Sequence, residues 1–217
     1  MTIRILVADD HRIVCQGLVS LIDGCPEYTV AGQAESGREA VTFTRRHQPD
    51  IVIMDISMPD LNGIDATRLC IEAFPPVKVI ALSMHSDRRY VMGMLKAGAR
   101  GYILKESVFQ ELLQAIEAAR NDQVYLSPKV AGTVVDDLVR REPPEIPSPA
   151  DILTVKEREV LQMIAEGRAT RKMARVLNVS IKTVEARRKS IMNKLDLHTV
   201  ADLTKYAIRE GLTSVQK

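Results

Sequence analysis

The chain has 217 residues, 46% hydrophobic and 27% charged, with 30 Lys and Arg against 28 Asp and Glu for a formal net charge of +2. That composition is ordinary for a globular protein with room for two cores, and no apolar run reaches the ~20 residues that a membrane-crossing helix needs. The charge is uneven: residues 1–120 hold 13 basic and 15 acidic side chains, 121–150 hold 3 and 5, and 151–217 hold 14 and 8. A basic C-terminal part points to a nucleic-acid partner, a solvated basic face being the plainer use of the same charge.

Cys15, Cys25 and Cys70 are odd in number and lack metal-ligand spacing, so they read as reduced thiols packed as small apolar groups. Met1-Thr2-Ile3-Arg4-Ile5 leads directly into a strand pattern, without the charged head and long apolar stretch of a signal peptide. The expected compartment is the cytoplasm.

In chain order, strand-like runs at Ile3 to Ala8, Tyr28 to Ala34, Ile51 to Met54, Val77 to Leu82 and Gly101 to Leu104 alternate with segments of helical period. The helical segments show Ile13, Gly17, Leu18, Leu21 and Ile22, then Ala40, Val41 and Thr44, then Ile64, Thr67, Leu69 and Ile71, then Val91 to Ala97 and Phe109 to Ala119. This alternation predicts an α/β doubly wound unit with a five-stranded parallel sheet over residues 1–120. Ile51-Val52-Ile53-Met54 suits a central strand covered on both faces, and it ends on Asp55, a charge that is costly there unless compensated.

In such a sheet the strands' carboxyl ends open on one crevice. The residues at those ends are Asp9 and Asp10, Asp55, Ser83 and Lys105. Singly, each has an ordinary use: an acid can cap the next helix, a serine can form a turn, a lysine can sit on the surface. Jointly, three carboxylates in one crevice call for raised pKa values or a cation, and an all-oxygen set with room for water suits Mg²⁺. Lys105 and Ser83 supply a positive charge and a donor for an anion on Asp55, so the carboxylate can take up a phosphoryl group as an acyl phosphate.

Asp9-Asp10, Asp55-Ile56-Ser57-Met58-Pro59 with Gly63, Ser83, Tyr102 and Lys105 together resemble the receiver domain of two-component response regulators, a flavodoxin-like fold. The resemblance implies that Asp55 is the phosphoacceptor. It implies that Asp9, Asp10, Asp55 and the backbone carbonyl of Ser57 hold Mg²⁺, that Lys105 pairs with the phosphoryl group, and that Ser83 and Tyr102 form a switch pair. Glu106 departs from the proline many receivers carry after the lysine. His85, two residues past Ser83, is a candidate for tuning phosphate loss.

Residues 121–150 read as a connector, with a short extended piece at Val124 to Pro128 and a helix opened by Pro128 and running through Val130, Val134, Val135 and Leu138. Four prolines in 143–149 then make a semi-rigid spacer.

Residues 151–217 predict a small all-α domain of four helices. Thr154 and Glu157 form a capping box, a second helix starts near Thr170, Ser180 caps a third over Ile181 to Leu195, and a fourth spans Val200 to Arg209. The second and third helices form a helix-turn-helix. On the third, Val184, Ile191 and Leu195 face inward, whereas Lys182, Glu185, Ala186, Lys189 and Asn193 share the opposite face, suited to the major groove. Arg187, Arg188 and Lys194 flank that face, where phosphates lie.

Leu153-Thr154, Glu157 to Leu161, Ala174 to Leu177, Val179 to Glu185 and Ile191 to Leu195 resemble the LuxR-type helix-turn-helix, which adds Thr183 to the expected DNA-contacting set. Arg171-Lys172 and Ala186-Arg187 depart from the usual pattern. Joined to a receiver, this makes the chain similar to NarL/FixJ-type transcriptional response regulators rather than to an enzyme. The resemblance implies a partner histidine kinase, double-stranded DNA, a homodimer when phosphorylated or DNA-bound, and RNA polymerase as a further partner, with no membrane. Two other readings use the same residues: a Mg²⁺-dependent phosphohydrolase, for which a second general acid beside Asp55 is lacking, and a phosphorylation-gated module whose basic tail binds protein.

Overall fold

A computed structural model describes residues 2–140 and 152–213, and the chain divides into two compact units, 1–141 and 142–217. In the first, the elements are β1 (Ile3–Ala8), α1 (Arg12–Asp23), β2 (Tyr28–Ala34), α2 (Gly37–His47), β3 (Ile51–Asp55), α3 (Gly63–Ala73), β4 (Lys78–Ser83), α4 (Arg88–Lys96), β5 (Gly101–Leu104), α5 (Val108–Arg120), β6 (Tyr125–Leu126) and α6 (Pro128–Arg140). All neighbouring strands are parallel, in the order β2-β1-β3-β4-β5-β6.

Alternate residues along each central strand supply two separate cores, which explains why the strands are apolar on both faces. Leu6, Val52, Met54, Val79, Ala81 and Tyr102 pack into one with residues of α2, α3, α4 and α6. Ile5, Val7, Ile51, Ile53, Ile80, Leu82 and Ile103 pack into the other with α1 and α5. The periodic reading of α1 includes one residue that this packing leaves out: Ile13 is 86% exposed.

The five-stranded sheet expected from the sequence is present, and it is extended by a sixth strand. β6 pairs with β5 through Gly101↔Tyr125 and Tyr102↔Leu126, and α6 then buries Val130 completely in the core that holds Tyr90 and Tyr102. Residues 121–140, read as part of a connector, therefore belong structurally to the first unit. The reason is that two residues suffice to continue the ladder, and an amphipathic helix following at once has the sheet edge and α4 to cover. The proline-rich spacer over 143–149 lies outside the described residues.

The second unit contains α7 (Val155–Ala165), α8 (Thr170–Val176), α9 (Ile181–Leu195) and α10 (Val200–Arg209). Both arms of the Thr154/Glu157 capping box form at α7, and Ser180 caps α9 through the Thr183 amide. Asn178 takes the left-handed conformation in the tight turn between α8 and α9 (φ 51°). Val160, Leu161, Ile164, Met173, Val184, Ile191 and Leu203 close a single core among the four helices.

Candidate functional site

Strand pairing brings the crevice together. Asp55, the last residue of β3, lies opposite Leu82 of β4, and Ser83 lies opposite Leu104, just before Lys105. Gly63 lets the chain turn back under Asp55: its amide donates to the Ile56 carbonyl at 2.9 Å, and a Cβ there would collide with the Asp55 carbonyl.

Asp9 and Asp55 are almost fully buried, at 1% and 2% exposure. The Lys105 ammonium lies 2.7 Å from Asp9 Oδ2 and 3.2 Å from Asp55 Oδ2. One ammonium thus serves two buried carboxylates at once, hydrogen-bonding to both. Burial raises the Asp55 pKa; Lys105 opposes the rise, Asp9 and Asp10 add to it, and the result is about 6. Burial alone would lower the Lys105 pKa, yet Asp55 and Asp9 together hold it above its ordinary value.

Asp10 is at the crevice mouth, and between it and Asp9 stands His11, a residue the sequence reading passed over. His11 Nδ1 is 3.0 Å from Asp9 Oδ1 and 2.9 Å from Asp10 Oδ1, and the His11 amide donates to Asp9 Oδ1 at 2.8 Å. One ligand atom from each of Asp9, Asp10, His11 and Asp55 lies within 4.8 Å of the others. Three carboxylates converging in so small a space, two of them buried, give this cluster the character of a seat for a hard divalent cation. Ser57 lies in the bend two residues past Asp55, half-buried.

Ser83 and Tyr102 are both buried, and they meet at the same loop. The Ser83 hydroxyl accepts from the His85 amide at 3.0 Å, and the Tyr102 hydroxyl donates to the His85 carbonyl at 2.7 Å. The His85 ring stacks on Tyr90, with centroids 4.5 Å apart and planes 14° from parallel. From the other side, Thr133 of α6 donates to the Ser86 carbonyl at 3.2 Å. The loop after β4 is thus gripped by the strand-end serine, by Tyr102 and by α6.

In the second unit, the face of α9 expected to meet DNA is open: Lys182, Glu185, Ala186, Lys189 and Asn193 are exposed, and Arg187 and Arg188 are half-buried beside them. Thr183 is occupied at the helix start, its amide bonded to Ser180 Oγ at 3.1 Å and its hydroxyl 2.9 Å from the same oxygen. Lys194 donates to Glu157 at 2.7 Å, and Ser190 donates to the other Glu157 oxygen, also at 2.7 Å. Burial works to raise the Glu157 pKa, but Lys194, the Thr154 amide, Ser190 and the Thr154 hydroxyl outweigh it and bring it to about 2. The capping-box glutamate therefore also fastens α7 to α9, which spacing along the chain could not reveal.

Two family models match the chain. The response regulator receiver domain covers residues 5–117, and the luxR family of bacterial regulatory proteins covers residues 151–207. This chain is a NarL/FixJ-type two-component response regulator. Its relatives include the oxygen regulatory protein NreC of Staphylococcus carnosus, 36% identical over 96% of this chain and 98% of NreC, and the transcriptional regulatory protein DegU of Brevibacillus brevis, 34% identical over 99% and 96%. A solved structure of two RcsB dimers bound to two parallel DNAs aligns with a TM-score of 0.60 at 26% identity, over 95% of this chain and 98% of that one. The regulator is accordingly a DNA-binding protein of a two-component system and belongs to a family of regulators, not enzymes. Among its described residues, no helix is long and apolar enough to cross a membrane.

Proposed function

We propose that Asp55 of this regulator accepts a phosphoryl group from a histidine kinase, and that the change in the crevice alters how residues 151–217 engage promoter DNA. The observation that carries this reading is the buried Asp55 carboxylate set against the Lys105 ammonium, with Asp9 sharing the same lysine. Burial leaves Asp55 poorly solvated and ionised above about pH 6, the state in which an oxygen lone pair can attack phosphorus. The new O–P bond forms as the donor's N–P bond breaks, and the electron pair leaves with the imidazole nitrogen.

Asp9, Asp10 and Asp55, with the Ser57 carbonyl, would hold Mg²⁺, which when bound offsets charge on the phosphoryl oxygens. Lys105 stands beside the Asp55 oxygen and offsets the rest. The Ser83 hydroxyl leaves its bond with the His85 amide to donate to the phosphoryl group, and the loop that also holds Tyr102 and Thr133 follows it.

In this reading residues 1–120 are the receiver, 121–150 the connector and 151–217 the DNA-binding part. Lys182, Glu185, Ala186, Lys189 and Asn193 face the bases, and Arg187 and Arg188 the phosphates. Thr183 and Lys194 contribute indirectly through the cap and the Glu157 bridge. RcsB, described as dimers on DNA, supports a homodimer in the phosphorylated or DNA-bound state. RNA polymerase is the further partner at a promoter, and the cytoplasm the compartment.

Acetyl phosphate with Mg²⁺ should add one phosphoryl group to the protein by intact mass, and Asp55→Asn should take up none. Equal uptake by the variant would remove Asp55 from this role.

A further inference from the structure

Glu185 is the one acidic residue of α9, whose other charged side chains are Lys182, Arg187, Arg188, Lys189 and Lys194. It is exposed on the same face as Lys182, Ala186, Lys189 and Asn193. Among the described residues no hydrogen bond or ion pair holds its carboxylate, in contrast to Glu157, which Ser190, Lys194 and Thr154 hold. Glu185 therefore does nothing visible for the fold.

A free carboxylate on a face that enters a groove walled by phosphates is repelled by the polyanion. It is compatible with tight binding only where it meets a donor, and the major-groove edges offer donors at cytosine N4 and adenine N6. Adenine places the N7 acceptor beside its amino group, so a ligand with both a donor and an acceptor suits it, as an amide does. Cytosine presents its amino group alone, which suits an acceptor-only carboxylate.

Resting on the DNA-binding reading above, we propose that Glu185 reads a cytosine, accepting a hydrogen bond from its N4 amino group, and so sets one position of the recognition sequence. The methyl group of Ala186, next on the same face, is too short to compete for that edge. The flanking Lys182 and Lys189 hold the helix against the backbone or neighbouring guanines while the carboxylate is brought to the base.

The test is selection of bound fragments from random duplex DNA by the full chain, as wild type, Glu185→Ala and Glu185→Gln, at two salt concentrations. Circular dichroism and thermal melting serve as a check on folding, since an exposed helical position tolerates Ala and Gln. The wild type should show a cytosine at one position per half-site. Glu185→Ala should lose that preference, with roughly tenfold to hundredfold less discrimination there. Glu185→Gln should move it to adenine. Unchanged preferences in both variants, or an Ala variant that only binds every sequence more tightly, would overturn the assignment and leave Glu185 a repelled surface charge. Absence of salt-dependent duplex binding by the wild type would instead overturn the DNA-binding reading on which the assignment rests.

Discussion

The crevice of the first unit and the open face of α9 use charge in opposite ways. In the crevice, Asp9, Asp55 and Lys105 are buried against one another, so each alters the others and none is satisfied alone. On α9, Lys182, Glu185 and Lys189 are exposed, and in the reading proposed above their partners belong to another molecule. Buried charge stores a response that a single covalent event can release, because removing or adding one charge unbalances the whole cluster. Exposed charge stores recognition, whose energy appears only on binding.

The largest effect should come from breaking the buried cluster. Lys105→Met leaves Asp9 and Asp55 facing each other, and it should lower unfolding stability by about 3 kcal/mol in urea titrations without added metal. Asp55→Asn should do the opposite, raising stability by about 1–2 kcal/mol, because the buried ionised group that the fold tolerates at a cost is gone. A loss of stability in that variant would mean Asp55 is better compensated than its geometry implies.

Glu157 sits between the two regimes, buried yet bridging to the recognition helix. Glu157→Gln should destabilise the second unit by about 1–2 kcal/mol. The sign of the pH effect follows from a carboxyl lowered from 4.5 to about 2 in the folded state. Its contribution is fully present above pH ~4.5 and is lost as pH falls toward ~2, so wild type and variant should converge in acid-melting experiments. If their difference stays constant down to pH 2, Lys194 does not depend on the ionised Glu157.

Smaller effects sharpen the distinction within α9. Arg188→Ala should reduce the salt dependence of duplex binding by about one ion, as expected of a phosphate contact. Lys194→Ala should mainly lower the melting temperature, since its ammonium is engaged at Glu157. Equal changes in salt slope for the two would show that Lys194 reaches phosphate as well. The mildest change is Thr133→Val, which removes the bond to the Ser86 carbonyl at a cost of about 1 kcal/mol or less. Hydrogen exchange over 128–136 should rise in the variant and respond less to beryllofluoride, a phosphoryl mimic. An unaltered response would detach α6 from the loop.

The crevice was legible because β-strand period and strand ends are local properties. Asp9, Asp10, Asp55, Ser83 and Lys105 each follow an apolar run, and a parallel sheet brings such ends together whatever else the chain does. His11 was missed since nothing in its spacing sets it apart from a residue opening a helix. Its role at the carboxylates depends on the turn into α1. Ile13 shows the reverse error: its spacing places it with the apolar residues of α1, yet it is left 86% exposed among the described residues. The polar face of α9 was readable from a 100° wheel, whereas the engagement of Lys194, expected on its flank, and of Thr183 was not, because their partners come from α7 and from the cap.

The sequence by itself determined the two-unit plan, the alternation that makes a parallel sheet, the acids and lysine at its mouth, and the basic third helix of the second unit. These follow from periodicity, caps and the placement of charge, which act over a turn or a strand. Only the tertiary structure decided that residues 121–140 complete the first unit through β6 and α6, that the loop after β4 is held by Ser83, Tyr102 and Thr133 together, and that Glu157 ties the recognition helix down. Those contacts join residues as far as 47 positions apart, and a hydrogen bond's short range makes their formation a matter of packing rather than of neighbouring residues.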